Sequence, residues 1–182
     1  MSNKEWYTHD MPTELIVLIK HQEIERGVAR LARAIRRDYL NKNPLLIGIL
    51  KGSFIFMADL VRRLDMPLEV DFVRLSSYGS GTESLGKISI SGRLNLPVEG
   101  RHVIVVEDII DTGLTTAYFL RYVKRRKPAS AALCALTEKP ARRKVDVKID
   151  YLGFSVPDKF IVGYGIDLDQ KYRNLPDICY IE

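Results

Sequence analysis

The segment that most constrains the fold of this chain is an unbroken run of β-branched residues at positions 103–106. Such a run suits a strand covered on both faces, as in a parallel sheet with helices on either side. Parallel sheets bind ligands beyond the carboxyl ends of their strands, and here that end carries Glu107 and Asp108. Adjacent carboxylates accept hydrogen bonds from vicinal hydroxyls or hold a hard divalent cation. The segment therefore predicts a binding site at the edge of an α/β sheet.

The residues after the two acids predict a turn and then a helix. Asp111, Thr112 and Gly113 supply turn chemistry, and apolar positions then recur at helical spacing. The N-terminus of that helix points at the ligand, and hydroxyls of Thr112, Thr115 and Thr116 lie beside its free N–H groups. Such donors form a cradle for a phosphate monoester, so the segment indicates a sugar-phosphate site. The alternative is an ordinary strand with a capped helix and a solvated acidic pair.

Length and composition indicate one globular domain, since the chain has 182 residues, of which 46% are hydrophobic and 28% charged. The apolar run at residues 15–19 is too short for the core of a signal peptide, so we expect a cytoplasmic protein without a membrane span. Cys134 and Cys179 lie in apolar, strand-like surroundings without metal-ligand spacing. Both are interpreted as reduced core residues. A phosphate-binding loop of the G-x-x-x-x-G-K-[ST] type is absent from the sequence.

The net charge of +5 raises the question of a nucleic-acid partner. Basic clusters lie at residues 124–127 and 139–144. The first falls in the last turn of the predicted helix, where cations complement the helix dipole, so a solvated helix end is favoured over a nucleic-acid surface. Positive charge also suits a polyanionic small substrate, and we expect no nucleic-acid partner.

Helical and strand patterns alternate along the first 137 residues. Residues 13–41 carry a helical stripe, residues 45–50 and 68–75 are strand-like, and an apolar helical pattern lies between those two strands. This order gives a βαβ unit and favours an α/β fold with a mostly parallel sheet.

Two other regions have a different character. Residues 76–92 contain almost nothing to bury and predict a loop, which is either a passive linker or a lid over the site. From residue 148 onward, short strand-like runs alternate with turns. We expect this tail, together with N-terminal residues, to form a small subdomain, or hood, over the main sheet.

Three further segments carry groups that can bind a ligand. Lys51 and Gly52 follow a buried strand, where a turn and a helix N-terminus approach anionic oxygens, although a purely structural turn fits equally well. Lys139 follows another strand and can donate to a carbonyl oxygen, although a surface lysine is the simpler interpretation. The apolar residues 160–167 read first as a core strand that ends at Asp167.

Together these motifs resemble the phosphoribosyl-pyrophosphate signature of the type I phosphoribosyltransferases, with spacing close to the hypoxanthine-guanine branch. The resemblance extends from about residue 12 to the C-terminus. It implies the type I phosphoribosyltransferase fold, an α/β domain with a mostly parallel sheet flanked by helices and a small hood subdomain. We expect one domain over residues 1–182, with a core of about residues 12–140 and a hood and base-binding part of about residues 141–182.

The resemblance also implies an activity. In the expected reaction, hypoxanthine or guanine and phosphoribosyl pyrophosphate give IMP or GMP and pyrophosphate. The transition state is expected to be oxocarbenium-like, and the reaction is expected to require Mg²⁺. A homodimer or homotetramer is expected. The family's pyrophosphate loop, which Lys51 and Gly52 match, carries a non-proline cis peptide bond.

Each polar group then receives an expected role. Asp111 is the general base that accepts the proton at N7 of the purine. The ribose and phosphate are expected to contact Glu107, Asp108, Thr112, Gly113, Thr115 and Thr116. The pyrophosphate is expected to contact Lys51, Gly52 and Arg173. The purine is expected to contact Lys139, Phe160, Ile161 and Asp167. The metal is expected at Glu107, Asp108 and Asp167, and the lid begins at Ser77 and Tyr78.

Two alternatives stay open at this point. A regulator with the same fold could bind RNA or DNA through the clusters at residues 124–127 and 142–144, whereas Asp111, Lys139 and Arg173 together argue for catalysis. Within the enzyme class, a preference for xanthine remains open, while Lys139 and Phe160 disfavour adenine and pyrimidines. Residues 142–144 are otherwise expected to serve surface solvation alone.

Overall fold

Nine strands and three α-helices follow one another along residues 14–78, 87–91 and 94–182, which are the residues that the computed structural model describes. In chain order the elements are β1 (Leu15–Ile19), α1 (His21–Tyr39), β2 (Leu45–Leu50), α2 (Phe54–Leu64), β3 (Glu69–Tyr78), β4 (Lys87–Ser91), β5 (His102–Ile110), α3 (Leu114–Lys124), β6 (Ser130–Glu138), a short 3-10 helix (Pro140–Arg142), β7 (Tyr151–Ser155), β8 (Ile161–Val162) and β9 (Ile178–Ile181).

Six of the strands form one large sheet in the order β4-β3-β2-β5-β6-β7. All its pairs are parallel except β3 with β4. The connection from β2 leads outward to β3, and the connection from β5 leads outward to β6 in the opposite direction. A crevice therefore opens between β2 and β5 at their carboxyl ends, where ligands bind in sheets of this type. The expected α/β fold with a mostly parallel sheet is confirmed.

Both faces of the sheet are covered, which explains the continuous apolar runs of the central strands. Leu46 and Ile104 lie in one core cluster with the buried faces of α1 and α2. Their neighbours Leu45 and Val103 lie in a second cluster with Phe119 of α3. Because successive side chains of a strand point to opposite faces, each central strand contributes to both clusters. Full burial of one such side chain stabilises the fold by roughly 1.5–3 kcal/mol.

A second, three-stranded antiparallel sheet has the order β1-β9-β8. The prediction of one helix over residues 13–41 is wrong for its first part, since Leu15–Ile19 is a strand paired with β9 and the helix begins at His21. A short apolar run fits either type of element, and here the distant partner strand decided the outcome. The Glu23 carboxylate accepts a hydrogen bond of 3.0 Å from the Lys20 N–H, which helps to start the helix there.

The division between the two sheets does not coincide with the expected boundary near residue 141. β7 lies at the edge of the large sheet beside β6, although its residues were assigned to the hood. β1 lies in the small sheet, although its residues fall within the expected core of about residues 12–140; N-terminal residues were also expected to join the tail. The small sheet packs onto the α1 and α2 side of the core through Ile19, Ile161 and Ile178. The boundary between core and hood stays a prediction.

The predicted loop at residues 76–92 contains more regular structure than expected. β3 continues to Tyr78 and pairs with β4, with Ser77 opposite Ile88 and Tyr78 opposite Lys87. The pairing satisfies backbone groups that a loop would leave to water. Residues 79–86 and 92–93 lie outside the described residues. A lid that begins at Ser77 and Tyr78 therefore stays a prediction.

Both cysteines are free and buried, as expected. The structure describes no helix that is long and apolar enough to cross a membrane.

Candidate active site

The two adjacent acids lie within β5 and not beyond it, which differs from the sequence-based expectation. β5 pairs with β6 as far as Ile110, but it pairs with β2 only as far as the Gly48–Val106 pair. The two central strands therefore separate just before Glu107 and Asp108. Both acids line the opening of the crevice, because β6 continues beside them whereas the pairing with β2 has ended.

Glu107 is almost fully buried, with 7% of its surface exposed. Its Oε2 accepts a hydrogen bond of 2.5 Å from the Thr116 hydroxyl on α3. Burial raises the pKa of Glu107 to about 8, and repulsion from Asp108 acts in the same direction. The phosphate cradle was expected to include the Thr116 hydroxyl, but this hydroxyl is buried and serves Glu107.

Burial also raises the pKa of Asp108, to about 6. Backbone N–H groups and the positive charge of Arg173 act against this rise, whereas the charge of Asp167 adds to it. The turn after β2 packs directly against the same carboxylate, since a Cβ built on Gly52 would lie 1.9 Å from the Asp108 Oδ2. No other residue type fits at position 52 without a shift of the turn or of Asp108.

The turn at Lys51 and Gly52 contacts a distant segment of the chain. The Leu50–Lys51 peptide bond is cis, as in the family's pyrophosphate loop. The Lys51 Nζ donates to the Gln170 Oε1 at 2.8 Å. A Cβ on Gly165 would lie 2.2 Å from the Gly52 carbonyl oxygen, so the two segments are in close contact.

Arg173 organises this distant segment. Its Nη1 donates to the Gly165 carbonyl at 2.7 Å, and its Nη2 lies 2.7 Å from the Asp167 Oδ1 and 3.3 Å from the Gln170 Oε1. The structure thus brings Arg173 and Asp167 to the turn that carries Lys51. Gln170, which accepts from both cations, was missed because its functional contact lies 119 residues away in the sequence.

The turn after β5 leads into α3 as expected. Gly113 has a φ of +79°, a conformation that favours glycine, and α3 begins at Leu114. The Leu114 N–H donates to the Thr112 Oγ1 at 3.4 Å. Thr115 lies in the first turn of α3, where N–H groups lack carbonyl partners within the helix. Together with Thr112 and Gly113 it forms the end of the crevice suited to a phosphate.

Asp111 is held by Arg142, for which the sequence predicted a nucleic-acid contact or surface solvation but no role in the site. The Arg142 Nε donates to the Asp111 Oδ1 at 2.7 Å, and the Arg142 Nη1 lies 3.6 Å from Asp158. Arg143 pairs with Glu138 at 2.7 Å. The expectation of surface solvation alone is therefore wrong for Arg142 and Arg143. The feature of the sequence that could have indicated this role is the position of Arg142 and Arg143 shortly after Lys139.

Lys139 lies beside the turn that carries Asp111. Its backbone N–H donates to the Ile110 carbonyl at 2.9 Å, and the side chain is buried with 7% of its surface exposed. Within residues 14–78, 87–91 and 94–182, the Lys139 side chain forms no hydrogen bond and no ion pair. A buried ammonium without a protein partner is costly, so this group is suited to an acceptor on a ligand.

Phe160 and Ile161 lie where the small sheet has its free edge. Phe160 is exposed to 52%, the largest exposed fraction among the large hydrophobic side chains of the described residues. β8 is an edge strand, and the hydrogen bond from the Ile181 N–H to the Phe160 carbonyl flanks the pair of Ile161 with Tyr180. The Ile161 N–H and carbonyl therefore point away from β9 and are available to a ligand.

The loop before Phe160 is tied to the end of β6. The Val156 N–H donates to the Glu138 carbonyl at 2.9 Å, and Asp158 lies 3.6 Å from Arg142. Lys139 and Phe160 thus belong to the same side of the crevice as Asp111, whereas Asp167, also predicted to contact the purine, lies beside Arg173. The predicted pyrophosphate residues lie on the other side, at Lys51 and Arg173.

Comparison with known proteins agrees with this arrangement. The sequence profile of the phosphoribosyl transferase domain matches residues 18–169. The chain belongs to the phosphoribosyltransferase family. The resemblance inferred from the sequence motifs is thereby confirmed.

Several family members are similar to this phosphoribosyltransferase over nearly their full length. The hypoxanthine-guanine phosphoribosyltransferase of Bacillus subtilis is 46% identical over 162 residues, which cover 89% of this chain and 90% of that protein. The enzyme of the same name from Aquifex aeolicus is 44% identical over 170 residues, covering 93% of this chain and 96% of that protein. The bifunctional protein TilS/HprT of Listeria monocytogenes is 48% identical over 162 residues, which are 89% of this chain but 25% of that protein. The chain thus spans about a quarter of that longer relative.

A solved structure shows the same phosphoribosyltransferase fold. The crystal structure of a hypoxanthine-guanine phosphoribosyltransferase from Bacillus anthracis, with a HEPES molecule in its active site, has a TM-score of 0.88 and 44% sequence identity. The match covers 93% of this chain and 100% of that chain.

Proposed function

We propose that this protein transfers the phosphoribosyl group of phosphoribosyl pyrophosphate to N9 of hypoxanthine or guanine. The products are IMP or GMP and pyrophosphate. One observation carries the proposal: the Asp108 carboxylate lies against Gly52 and within the electrostatic reach of Arg173. Groups suited to a ribose and groups suited to a leaving pyrophosphate therefore share one crevice. The names of the Bacillus subtilis and Aquifex aeolicus relatives support the same reaction.

The leaving group is held on the β2 side of the crevice. As the bond from C1 to the pyrophosphate oxygen breaks, negative charge grows on the pyrophosphate and positive charge on the ribose. Lys51 and Arg173 neutralise the pyrophosphate, and the planar fork of Arg173 suits two of its oxygens. Both cations share Gln170 in the present structure, so Gln170 holds them in place for the ligand.

The ribose and its phosphate lie along β5 and α3. Glu107 and Asp108 accept hydrogen bonds from the two ribose hydroxyls, and these donors compensate the cost of ionising buried carboxylates. The phosphate contacts Thr112, Gly113 and Thr115 at the N-terminus of α3.

The residues also fit Mg²⁺, with part of its ligand sphere coming from the substrate. Among the described residues, no three His, Cys, Asp or Glu side chains are close enough to hold a metal ion on their own. Mg²⁺ is commonly held by one or two carboxylates plus phosphates of the substrate, and Asp108 and Asp167 repel one another across this crevice. These two residues, with Glu107, are the proposed metal contacts. When bound, Mg²⁺ neutralises charge on the pyrophosphate.

The purine is recognised on the β6 side of the crevice. Phe160 stacks on the ring, the backbone of Ile161 pairs with the ring edge, and the buried Lys139 donates to the 6-oxo group. Adenine has an amino donor at that position, and leaving Lys139 without an acceptor costs roughly 1–3 kcal/mol. Asp111 accepts the proton from N7 as the bond to N9 forms.

The test is a direct assay of turnover with the full chain. Purified protein, phosphoribosyl pyrophosphate and Mg²⁺ are mixed with hypoxanthine, guanine, xanthine or adenine, and nucleotide formation is followed by ultraviolet absorbance. We expect turnover with hypoxanthine or guanine and much slower turnover with adenine. Binding of phosphoribosyl pyrophosphate without turnover of any base would overturn the proposal.

The competing hypothesis of a nucleic-acid regulator has lost part of its proposed surface. Arg142 and Arg143 are both paired with carboxylates, so their charges are partly neutralised within the protein. Salt-dependent binding of RNA or DNA without turnover would favour that hypothesis. A cytoplasmic location and a homodimer or homotetramer complete the proposal.

A further inference from the structure

One guanidinium group connects the two parts of the purine site. Arg142 ends the 3-10 helix that follows Lys139. Its Nε donates to the Asp111 Oδ1 at 2.7 Å, while its Nη1 lies 3.6 Å from the Asp158 Oδ1. Asp111 belongs to the turn after β5, and Asp158 belongs to the loop that leads to Phe160. The two carboxylates reach the same cation from separate segments.

The exposure of these side chains indicates that the bridge contributes little to folding. Asp111, Arg142 and Asp158 are exposed to 41%, 47% and 50%. Ion pairs that are this exposed have small effects on stability, because water screens the charges. A planar guanidinium with donors in fixed directions nevertheless restricts where its two partners lie. The contact is therefore suited to orienting the carboxylates.

The same segment also supports the backbone of the turn. The Lys144 and Val145 N–H groups both donate to the Thr112 carbonyl, at 3.0 and 3.3 Å. The segment that carries Arg142 is therefore hydrogen-bonded to Thr112, the residue after Asp111, and Arg142 contacts the Asp111 side chain from this segment. One Asp111 oxygen is engaged by Arg142, and among the described residues the other oxygen has no hydrogen-bond partner. That second oxygen is left to accept a proton.

We propose that Arg142 is a positioning residue for the transfer reaction, which orients Asp111 and couples it through Asp158 to the loop that carries Phe160. The inference rests on the proposed function. Proton acceptance by Asp111 requires that the purine and the carboxylate be held in a fixed relation, and small misplacements of such groups reduce rates strongly. The bridge supplies that relation between the residue that stacks on the purine and the residue that accepts its proton.

The experiment compares four variants with the wild type: Arg142→Gln, Arg142→Lys, Asp158→Asn and the double variant Arg142→Gln with Asp158→Asn. Arg33→Gln is the matched control, since Arg33 is an exposed arginine on α1 that forms no ion pair within the described part of the chain. For each protein we would measure kcat and KM for hypoxanthine, the Kd of phosphoribosyl pyrophosphate with Mg²⁺, and the Tm.

We expect Arg142→Gln to lower kcat/KM for hypoxanthine about tenfold, since the carboxylate loses its fixed orientation. The Kd of phosphoribosyl pyrophosphate and the Tm should match those of Arg33→Gln. Arg142→Lys should recover part of the loss, because a lysine keeps the charge but not the two-directional contact. Asp158→Asn should lower kcat/KM less than Arg142→Gln does, and it should add nothing in the double variant.

Three results would overturn the inference. The first is a kcat/KM for Arg142→Gln equal to that of the control. The second is a double variant whose loss equals the product of the two single losses, which would show that Asp158 acts independently of Arg142. The third is a loss of phosphoribosyl pyrophosphate affinity or Tm as large as the loss of turnover. Absence of turnover in the wild type would instead count against the proposed function.

Discussion

The Thr116 hydroxyl and the Glu107 carboxylate form a hydrogen bond of 2.5 Å between α3 and β5 at the base of the crevice. Glu107 is only 7% exposed, and among the described residues Thr116 is the one hydrogen-bond donor to its carboxylate. A single hydroxyl donor does not offset the burial of a full charge, so the pKa of Glu107 is raised to about 8. The site therefore holds one acid that becomes fully stable as an anion only when a ligand supplies further donors or a cation.

This situation predicts how Glu107 affects stability as the pH changes. Its folded pKa of about 8 lies above the ordinary value of 4.5, so the folded state binds more protons between these values. The contribution of protonated Glu107 to the free energy of unfolding is fully present below about pH 4.5. It is lost as the pH rises towards 8. Glu107→Gln keeps an acceptor for Thr116 but removes this titration.

In the ligand-free protein, Glu107→Gln should therefore raise the Tm at pH 8.5 by at least about 2–4 °C, the change that 1 kcal/mol causes in a domain of this size. At pH 5 its Tm should be close to that of the wild type. Thermal unfolding at both pH values tests this, and an equal Tm difference at both would contradict the assigned cause. The same variant should bind phosphoribosyl pyrophosphate more weakly.

Asp111→Asn is expected to lower turnover by roughly 10²-fold or more, because an amide does not accept the N7 proton. The amide oxygen still accepts the hydrogen bond from Arg142, so the turn should keep its conformation. Binding of phosphoribosyl pyrophosphate should remain measurable by calorimetry. Asp146→Asn, at an exposed position outside the site, serves as the control. Unchanged turnover in Asp111→Asn would refute the role of the base.

Gly52→Ala should disrupt the pyrophosphate side of the site. Its Cβ would lie 1.9 Å from the Asp108 Oδ2, which forces either the turn or the carboxylate to move. We expect the affinity for phosphoribosyl pyrophosphate to fall at least about tenfold, since a displacement of this kind removes well-oriented contacts. Gly100→Ala is the matched control, because its Cβ meets no atom within 4 Å although its φ of +69° strains alanine. Equal affinities in the two variants would contradict the importance of the close contact at Gly52.

Asp71 provides a test of stability away from the crevice. Burial raises its pKa, but the N–H groups of Leu96, Phe72 and Asn95 together outweigh this effect, so the pKa lies below the ordinary value. Its two oxygens accept four hydrogen bonds, and the partners on the segment before β5 are Asn95 and Leu96. In Asp71→Asn, either orientation of the amide places its NH₂ group against N–H donors. We expect a loss of about 1–3 kcal/mol in the free energy of unfolding at pH 7.

The same carboxylate predicts a pH dependence of opposite sign to that of Glu107. Because its folded pKa is lowered, the stability that it contributes is present above its ordinary pKa of 3.8 and is lost as the pH falls through the folded pKa. Urea unfolding of wild type and Asp71→Asn should show the full difference at pH 7 and a smaller one below pH 4. A difference that does not change with pH would mean that packing, and not the charge, is responsible.

Much of the fold was predictable because its central elements are locally consistent. The apolar runs of β2 and β5 identified strands covered on both faces, and helical spacing identified α2 and α3. The acids of β5 and the glycine turn before α3 lie where the strand and helix patterns placed them, within a few residues. These features depend on residues that are close together in the sequence.

The elements that were predicted wrongly depend on distant partners. The strand at Leu15–Ile19 forms because β9 lies beside it, and its five residues do not by themselves exclude a helix. The same holds for β3 beyond Leu75, which is extended because β4 pairs with it.

The sequence alone established which chemical groups this protein carries and which strands and turns they belong to, because strand periodicity and turn chemistry are local properties. Which of these groups meet depends on the packing of the elements. Arg142 reaches Asp111 across 31 positions of the chain, and Lys51 reaches Gln170 across 119. Such contacts follow from how the crossover helices and the small sheet pack onto the large sheet, and a side chain's local pattern contains no information about its distant partner.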